Sequence, residues 1–295
     1  MNSLRRVGRD IGNLTDEELR YVFNVIIGAA WAELHAREIF EVDPIPSVGF
    51  RTIRKYTETD MGQALISMEG EAVSLDRTQL TAGTDTKLPV ISKDFVINWR
   101  DIEAHRDLGE SLELREGKNA ARQVAEEENK LCLTGEYLGW PALGIEGLAS
   151  ATGRNTAAGG AWPTNAVANI NAAIAELETD GFTKGPYVLI GRVAQIRKLD
   201  GQVSSTGLTW RKFLLENGIL NAIYADDSLY TAATGATTSA IVCVPGKENF
   251  ALAVAQDISM KTTPLPNMNI LTRVYEVVTP HIKRPTSICE LTGLS

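Results

Sequence analysis

If this 295-residue chain did covalent chemistry, three histidines, three cysteines and a few acidic runs would have to carry it. His35, His105 and His281 are widely separated, and none stands beside a nucleophile-type motif. No GxSxG, HExxH, Walker A or GxGxxG pattern occurs, so the usual local geometries for acyl transfer, zinc hydrolysis or phosphate binding are missing. Cys132, Cys243 and Cys289 lie far apart in apolar sequence with no CxxC or Cys/His spacing. They read as small core hydrophobes, and an odd number of such thiols fits a reducing cytoplasm. Glu126, Glu127 and Glu128 are consecutive, point in different directions around a helix, and read as a solvated face rather than a carboxylate pair. Asp226-Asp227 has no further ligand pattern, so no metal site is expected there. Trp99, Trp140, Trp162 and Trp210 sit at helix and loop ends, where large aromatics serve as packing anchors or interface residues. No catalytic residue, cofactor or metal is expected.

The bulk composition agrees with a globular, non-enzymatic role without choosing one. Hydrophobic residues make up 44% and charged residues 22%, enough for a sizeable core. The net charge of −8 argues against wrapping nucleic acid, which calls for a basic footprint. The apolar run from Tyr21 to Ala32 is broken by Asn24 and falls short of the roughly 20 residues that span a bilayer. A cytoplasmic location without membrane contact is therefore the expectation.

The elements follow from periodicity. Residues 1–12, with Arg5, Arg6 and Arg9, read as a tail. Thr15 and Glu18 form a capping box that opens a helix to about Phe40, with Leu19, Val22, Phe23 and Ile26 on one face. From Phe50 to about Val90 the chain is polar and β-like, with no stripe able to build a core. A long two-stranded arm laid against a neighbour accounts for it, because an isolated hairpin is marginal in water. Val90 to Ile102 reads as a strand. Leu108 to Thr134 reads as a long helix with Ala121, Val124, Ala125, Leu131 and Cys132 inward and Gly135 as its C-terminal cap. Gly144 to Trp162 is expected to be loop. Beyond it come a helix from Thr164 to Gly181, a strand at Tyr187 to Ile190 and a helix from Val193 to Leu199. Then follow a polar loop from Gly201 to Gly207, a helix at Trp210 to Asn217 and a strand at Ile219 to Tyr224. Ala240 to Val244 and Phe250 to Met260 are expected to pair antiparallel, and strands at Ile270 to His281 and Thr286 to Leu291 close the chain.

Several blocks carry a family resemblance. Val124 to Leu148 (VAEEENKLCLTGEYLGWPALGIEGL) and Gly181 to Leu199 (GFTKGPYVLIGRVAQIRKL) resemble the end of the spine helix and the axial-domain segments of encapsulin shell proteins. These are relatives of HK97-type phage capsids. Leu34 to Val42, Leu88 to Ile91, Phe95 to Ile97, Ala255 to Ser259 and Arg284 to Cys289 follow the same family in order. The resemblance covers about residues 15–292. It implies an α+β, HK97 capsid-like fold with an N-terminal tail and lumen-facing helix (1–48) and an extended loop (49–90). A peripheral domain with the spine helix (91–135 and 251–282) and an axial domain (136–250 and 283–295) complete it.

The same resemblance implies self-assembly into a closed icosahedral nanocompartment around a cargo enzyme, ferritin-like or a peroxidase, with iron storage among the family's uses. A C-terminal targeting peptide on the cargo would dock in a groove lined by Arg37, Ile39, Glu41, Val42 and Met260, with Arg37 and Glu41 as polar clamps. The alternative for those two residues is a plain surface i,i+4 pair. Gly201, Gln202, Ser204, Ser205, Thr206 and Gly207 would form the pore loop. Flavin, bound by some relatives near a tryptophan, is not carried over to Trp99. Two other readings stand beside this one: a viral or proviral major capsid protein of the same fold enclosing DNA, and an α/β enzyme or small-molecule binder. Negative-stain microscopy of the purified protein is expected to show hollow spheres of uniform diameter. A monomer or dimer on size exclusion would reject both shell readings.

Overall fold

The computed structural model describes residue 24 and residues 36–58, 80–108, 115–135, 143–182, 185–203, 207–229 and 240–294. Two sheets organise these segments; one apolar core is shared by both, taking Val188, Ile190, Ile241, Cys243 and Ile288 from the second sheet, and another holds that sheet's Leu189, Val242, Cys289 and Leu291. The first sheet is built on a long antiparallel hairpin, β9 (Phe250–Pro264) and β10 (Ile270–Ile282). On one edge β1 (Glu41–Pro44) runs parallel to β9, with Glu41 opposite Ala251 and Pro44 opposite Val254. On the other edge β4 (Val90–Ile97) runs antiparallel to β10, with Val90 opposite Val277 and Ile97 opposite Ile270. β4 buries Ile91, Phe95 and Ile97 and exposes the residues between them, as one sheet face demands.

The 20-residue helix α3 (Arg115–Thr134) packs across β4 and β10. It follows two shorter helical segments, the single turn α1 (Ala36–Ile39) and α2 (Trp99–Leu108). Its buried stripe of Ala121, Val124, Ala125, Leu131 and Cys132 is the one the 3.6-residue period gives. Sequence periodicity extends β4 through Ile102, which the structure corrects; it opens the long helix at Leu108, the last residue of α2, and residues 109–114 lie outside the described residues. The strand stops at Ile97 because Asn98 caps a new helix: its Oδ1 accepts from the Arg100 N–H at 3.0 Å. The Trp99 N–H is taken by Asn269 Oδ1 at 3.2 Å, which ties the start of α2 to the tip of the β9–β10 hairpin.

The second sheet has the order β5-β11-β8-β6-β7. Its strands are β5 (Asn155–Ala158), β6 (Val188–Gly191), β7 (Ala222–Ala225), β8 (Ala240–Cys243) and β11 (Ile288–Thr292). α4 (Ala166–Thr179) covers β5 and β11, while α5 (Val193–Lys198) and α6 (Trp210–Glu216) flank the β6–β7 side. Two expectations fail here. Ala240–Cys243 pairs with β11 and β6, not with Phe250–Pro264, which belongs to the other sheet. The turn at residues 244–249 redirects the chain between sheets, and β-propensity in adjacent apolar runs does not report that. Within the expected loop, Asn155–Ala158 forms a parallel edge strand on β11; its small, polar residues carry no strand signature of their own.

β2 (Thr52–Glu58) and β3 (Leu80–Lys87) pair antiparallel as a sheet of their own, joined to neither of the others. This is the expected arm; residues 59–79, at its far end, lie outside the described residues. At its root Val48, Phe50 and Val90 are exposed. Of the expected helix from Thr15 to about Phe40, only Asn24 and residues 36–40 are described; Asn24 and Ala36–Ile39 are helical, and Phe40 lies in the bend that follows. No described helix is long and apolar enough to cross a membrane.

The C-terminus of α3 is tied by its backbone to the segment that leads into the second sheet. Gly135, at φ +72°, turns the chain out of the helix, where an L side chain would be strained. In the last turn of the helix, the carbonyls of Cys132 and Leu133 accept from the N–H groups of Leu148 (3.1 Å) and Ala149 (2.8 Å). That approach is possible because residue 147 is glycine: a Cβ there would collide with the Gly135 nitrogen and stand 2.9 Å from the Cys132 carbonyl oxygen. Gly147→Ala is therefore expected to destabilise the subunit by roughly 3 kcal/mol, the upper range for overpacking. A denaturation midpoint in urea equal to that of the unaltered protein would reject the close-approach account.

Candidate functional site

The last described turn of the N-terminal segment, α1, is wedged against α3 and the first sheet, and charge holds it there. The Arg37 guanidinium donates to Glu128 through Nε (2.8 Å to Oε1) and Nη2 (3.0 Å to Oε2). It donates through Nη1 to Asp257 Oδ1 at 2.8 Å, and Nη2 stands 3.5 Å from Glu276 Oε2. The Arg37 side chain is 18% exposed, and those of Glu128 and Glu276 are 0% exposed. One step before it, the Ala36 N–H donates to Asn129 Oδ1 at 2.9 Å. One step after it, Glu38 hydrogen-bonds the Tyr224 hydroxyl, which connects α1 to β7 of the second sheet. Burial raises the Tyr224 hydroxyl above its ordinary value, with the Glu38 charge adding to it.

Among the described residues Arg37 pairs with Glu128, Asp257 and Glu276 and not with Glu41. The reading of Glu126, Glu127 and Glu128 as one solvated face is corrected for the third. Glu126 and Glu127 do lie outward, paired with Arg122 and Lys130. Glu128 instead falls four residues after Val124 and four before Cys132, on the buried stripe. A carboxylate at an apolar-stripe position was the signal in the sequence, and it points to a buried counter-charge.

Two coupled acids facing one guanidinium perturb each other. Burial pushes the Glu276 carboxyl well above the ordinary range, and repulsion and hydrogen bonding from Glu128 push it the same way; only Arg37 opposes. Cys132, one turn along α3, is also pushed up, by burial first and by the Glu128 and Glu276 charges next. Arg37 stays firmly charged: burial works against it, but the hydrogen bonds and attraction from Glu128 and Asp257 outweigh that. Cys243 and Cys289 are pushed up to about 12, chiefly by burial. All three thiols are buried and free, hence unreactive.

Past Arg37 the surface opens. Ile39 belongs to the first core, and Met260, opposite Val274 on β10, is half-buried against it. Glu41 is exposed and Val42 is 46% exposed on the edge strand β1. Asp43 fixes that strand to the chain ahead of β9, accepting from Lys247 Nζ at 2.9 Å and standing 3.5 Å from Lys283 Nζ. The hydrogen bond from Lys247 holds its carboxyl below the usual range.

At the expected pore loop, Gln202 bridges to Thr209 and the Val203 N–H donates to the Leu208 carbonyl at 2.8 Å. Gly201 and Gln202 are exposed and Gly207 adopts φ +76°; Ser204, Ser205 and Thr206 lie outside the described residues. The acidic pair has a structural use: Asp226 accepts from the Ser228 N–H at 2.7 Å and Asp227 from the Val193 N–H at 3.1 Å, at the start of α5. Among the described residues no group of three or more His, Cys, Asp or Glu side chains is placed to hold a metal ion. A separate cleft of about 510 Å³ lies between the end of β4, α2 and the first turn of α3, and none of the groove residues lines it.

Comparison with known proteins bears on the whole arrangement. A family described as "Encapsulating protein for peroxidase" matches residues 9–279. The type 1 encapsulin shell protein EncA of Myxococcus xanthus is 28% identical over 286 residues, covering 95% of this chain and 94% of the relative. A diheme-cytochrome-encapsulin shell fusion protein of Kuenenia stuttgartiensis is 25% identical over 210 residues, 68% of this chain and 53% of that protein. Among solved structures, a virus-like particle from Pyrococcus furiosus superposes with a TM-score of 0.68 at 14% identity, over 93% of this chain and 99% of that one. The capsid of an empty GTA particle gives 0.64 at 15% identity, over 89% and 90%. These likenesses show an HK97 capsid-type fold.

Arg37→Ala is expected to cost about 3–5 kcal/mol, because it strands Glu128 without its counter-charge. Arg37→Lys, which keeps the charge but not the two-pronged bond, should lose less. Equal melting temperatures for Arg37→Ala and the unaltered protein would show that the network does not hold α1.

Proposed function

The chain belongs to the family of encapsulating shell proteins, and from that premise we propose that its shell holds a protein guest in the groove beside β1. Self-assembly into a shell is the family's function and this chain's: it is a wall component of capsid fold, not an enzyme. The observation that carries the guest reading is the contrast across six residues. Arg37 and Ile39 are drawn into the fold, while Glu41 and Val42 stand exposed on the free edge of β1. An extended peptide can lie along such an edge, with apolar side chains against Val42 and Met260 and a polar group toward Glu41. In this reading Arg37 and Ile39 act from beneath, fixing the direction in which β1 leaves α1.

The guest is taken to be a peroxidase or a ferritin-like enzyme carrying a terminal targeting peptide. The family description names a peroxidase, and in the Kuenenia relative a diheme cytochrome and a shell are one fusion protein, by its name. Residues 91–135 with 251–282 are taken as the peripheral domain, residues 136–250 with 283–295 as the axial domain, and residues 201–207 as the loop that lines a pore. A cytoplasmic site of assembly follows from three buried, unpaired thiols, since oxidising compartments favour disulfides. The fold is shared with phage capsids, such as that of phage XM1, which keeps a DNA-enclosing wall as the second reading. The net charge of −8 weighs against it.

Shells purified from the source cells are expected to contain one abundant protein besides this chain, identifiable by mass spectrometry. Val42→Asp and Glu41→Lys should leave particle diameter unchanged and lower guest content roughly tenfold, the effect of losing one interface anchor worth about 1.4 kcal/mol. Undiminished loading in both variants would reject the groove.

A further inference from the structure

We propose that Glu128 and Glu276 hold a single proton between them, and that this shared proton is a pH-sensitive latch keeping α3 seated on the first sheet of every subunit. The observation is geometric. α3 contributes Glu128 and β10 contributes Glu276, both with fully buried side chains, on the two surfaces that pack together. Three carboxylates face the one guanidinium of Arg37. Two of them, Glu128 and Asp257, take its hydrogen bonds, and Asp257 is also 55% exposed, so water screens it. Glu276 is left with Arg37 at 3.5 Å, and neither of its oxygens receives a hydrogen bond from a donor among the described residues.

An ionised carboxylate in that position would be buried, unsatisfied and next to another anion, a combination that costs several kcal/mol. One proton removes all three difficulties. Protonated Glu276 becomes a donor, and Glu128 is beside it as an acceptor, since one nitrogen, Arg37 Nη2, stands 3.0 Å from Glu128 Oε2 and 3.5 Å from Glu276 Oε2. Arg37 already takes both oxygens of Glu128, whereas Glu276 has no such partner among the described residues. Among the described residues, the titratable groups facing Glu276 are Arg37 from α1, Glu128 and Cys132 from α3, and Asp257 from β9. β4 presents Ile91 opposite it, and the nearby pair of Asp94 and Arg273 is exposed and satisfied within itself. Among the described residues, Arg37 is the one cation placed against Glu276. The proton belongs to the pair, which titrates as a unit.

The sign follows from the raised Glu276 value. An unfolded or opened subunit releases this proton near 4.5, the ordinary glutamate value, whereas the closed one retains it. The stabilisation is therefore complete below that pH and declines as pH rises toward the pair's own titration. Above that titration two like charges sit between helix and strand, and the relief open to them is to part and admit water. α3 is held at its C-terminus by the carbonyl contacts to Leu148 and Ala149, so the parting is concentrated at Glu128 and along the helix before it. Alkaline conditions thus loosen the wall from within each subunit.

Infrared spectra of intact particles read the proton directly, through the carbonyl stretch of a protonated carboxyl. A band present at neutral pH, lost on alkaline titration and missing in Glu276→Gln is the expected result. Its absence from the unaltered protein at neutral pH overturns the proposal whether or not any variant folds. In parallel, melting of particles between about pH 6 and about pH 9 should show a decline at least halved in Glu276→Gln. That variant keeps the shape and the donor while removing the proton, so a single lost proton linkage accounts for the change. Glu126→Gln, on the outward face of the same helix, should leave band and slope unaltered. An equal change of slope in that control would assign the effect to general charge and reject the latch.

Discussion

One guanidinium holds the wall together. Arg37 reaches α3, β9 and β10 at once, and the residues on either side of it bond Asn129 and Tyr224. A buried arginine is an expensive way to gain stability, because desolvation consumes much of the attraction. Its worth lies in specificity: only one placement of α1 satisfies Glu128, Asp257 and the Ala36 N–H together. β1 begins two residues after α1 ends, so the direction of that edge strand is inherited from Arg37. Inside the same cluster, the proton shared by Glu128 and Glu276 makes the seat of α3 conditional on pH.

The rest of the fold extends from α3. One of its faces serves the first sheet, and its C-terminus is stitched through Gly135 and Gly147 to the segment that leads into the second. The helix is thus connected to that segment by backbone hydrogen bonds in addition to side-chain packing. Geometry of that kind resists sliding, which suits a wall element repeated many times in a closed shell. The arm of β2 and β3 has the opposite character. It is a separate ribbon with exposed Val48, Phe50 and Val90 at its base, and a lone ribbon is marginal in water. Cover from neighbouring subunits is what a self-assembling wall supplies.

Where sequence reading succeeded, the controlling interactions were local or the pattern long. The apolar stripe of α3, its glycine stop and the under-cored arm were all visible, since helical period, turn chemistry and missing hydrophobic alternation act over a few residues. Where it failed, a partner distant in the chain decided. Trp99 begins a helix because Asn98 and Asn269 supply acceptors, and Asn155–Ala158 is a strand because β11 offers an edge. Ala240–Cys243 and Phe250–Pro264 look like hairpin neighbours yet enter different sheets. Glu128 looked solvated beside Glu126 and Glu127, although its helical position already placed it among apolar residues.

From the sequence alone came the absence of catalytic spacing, the capsid-type plan, and an arm that cannot stand by itself. The first and last of those rest on what must lie near what along the chain, which spacing and periodicity report; the capsid-type plan rests on family resemblance. The meeting of Arg37 with Glu128, Asp257 and Glu276 was a decision of the tertiary structure. So were the inward turn of Arg37 and Ile39 and the outward exposure of Glu41 and Val42. A helix's period says which side chains share a face, but which charges that face will meet, and how little water will reach them, is set only once the sheet has closed over it.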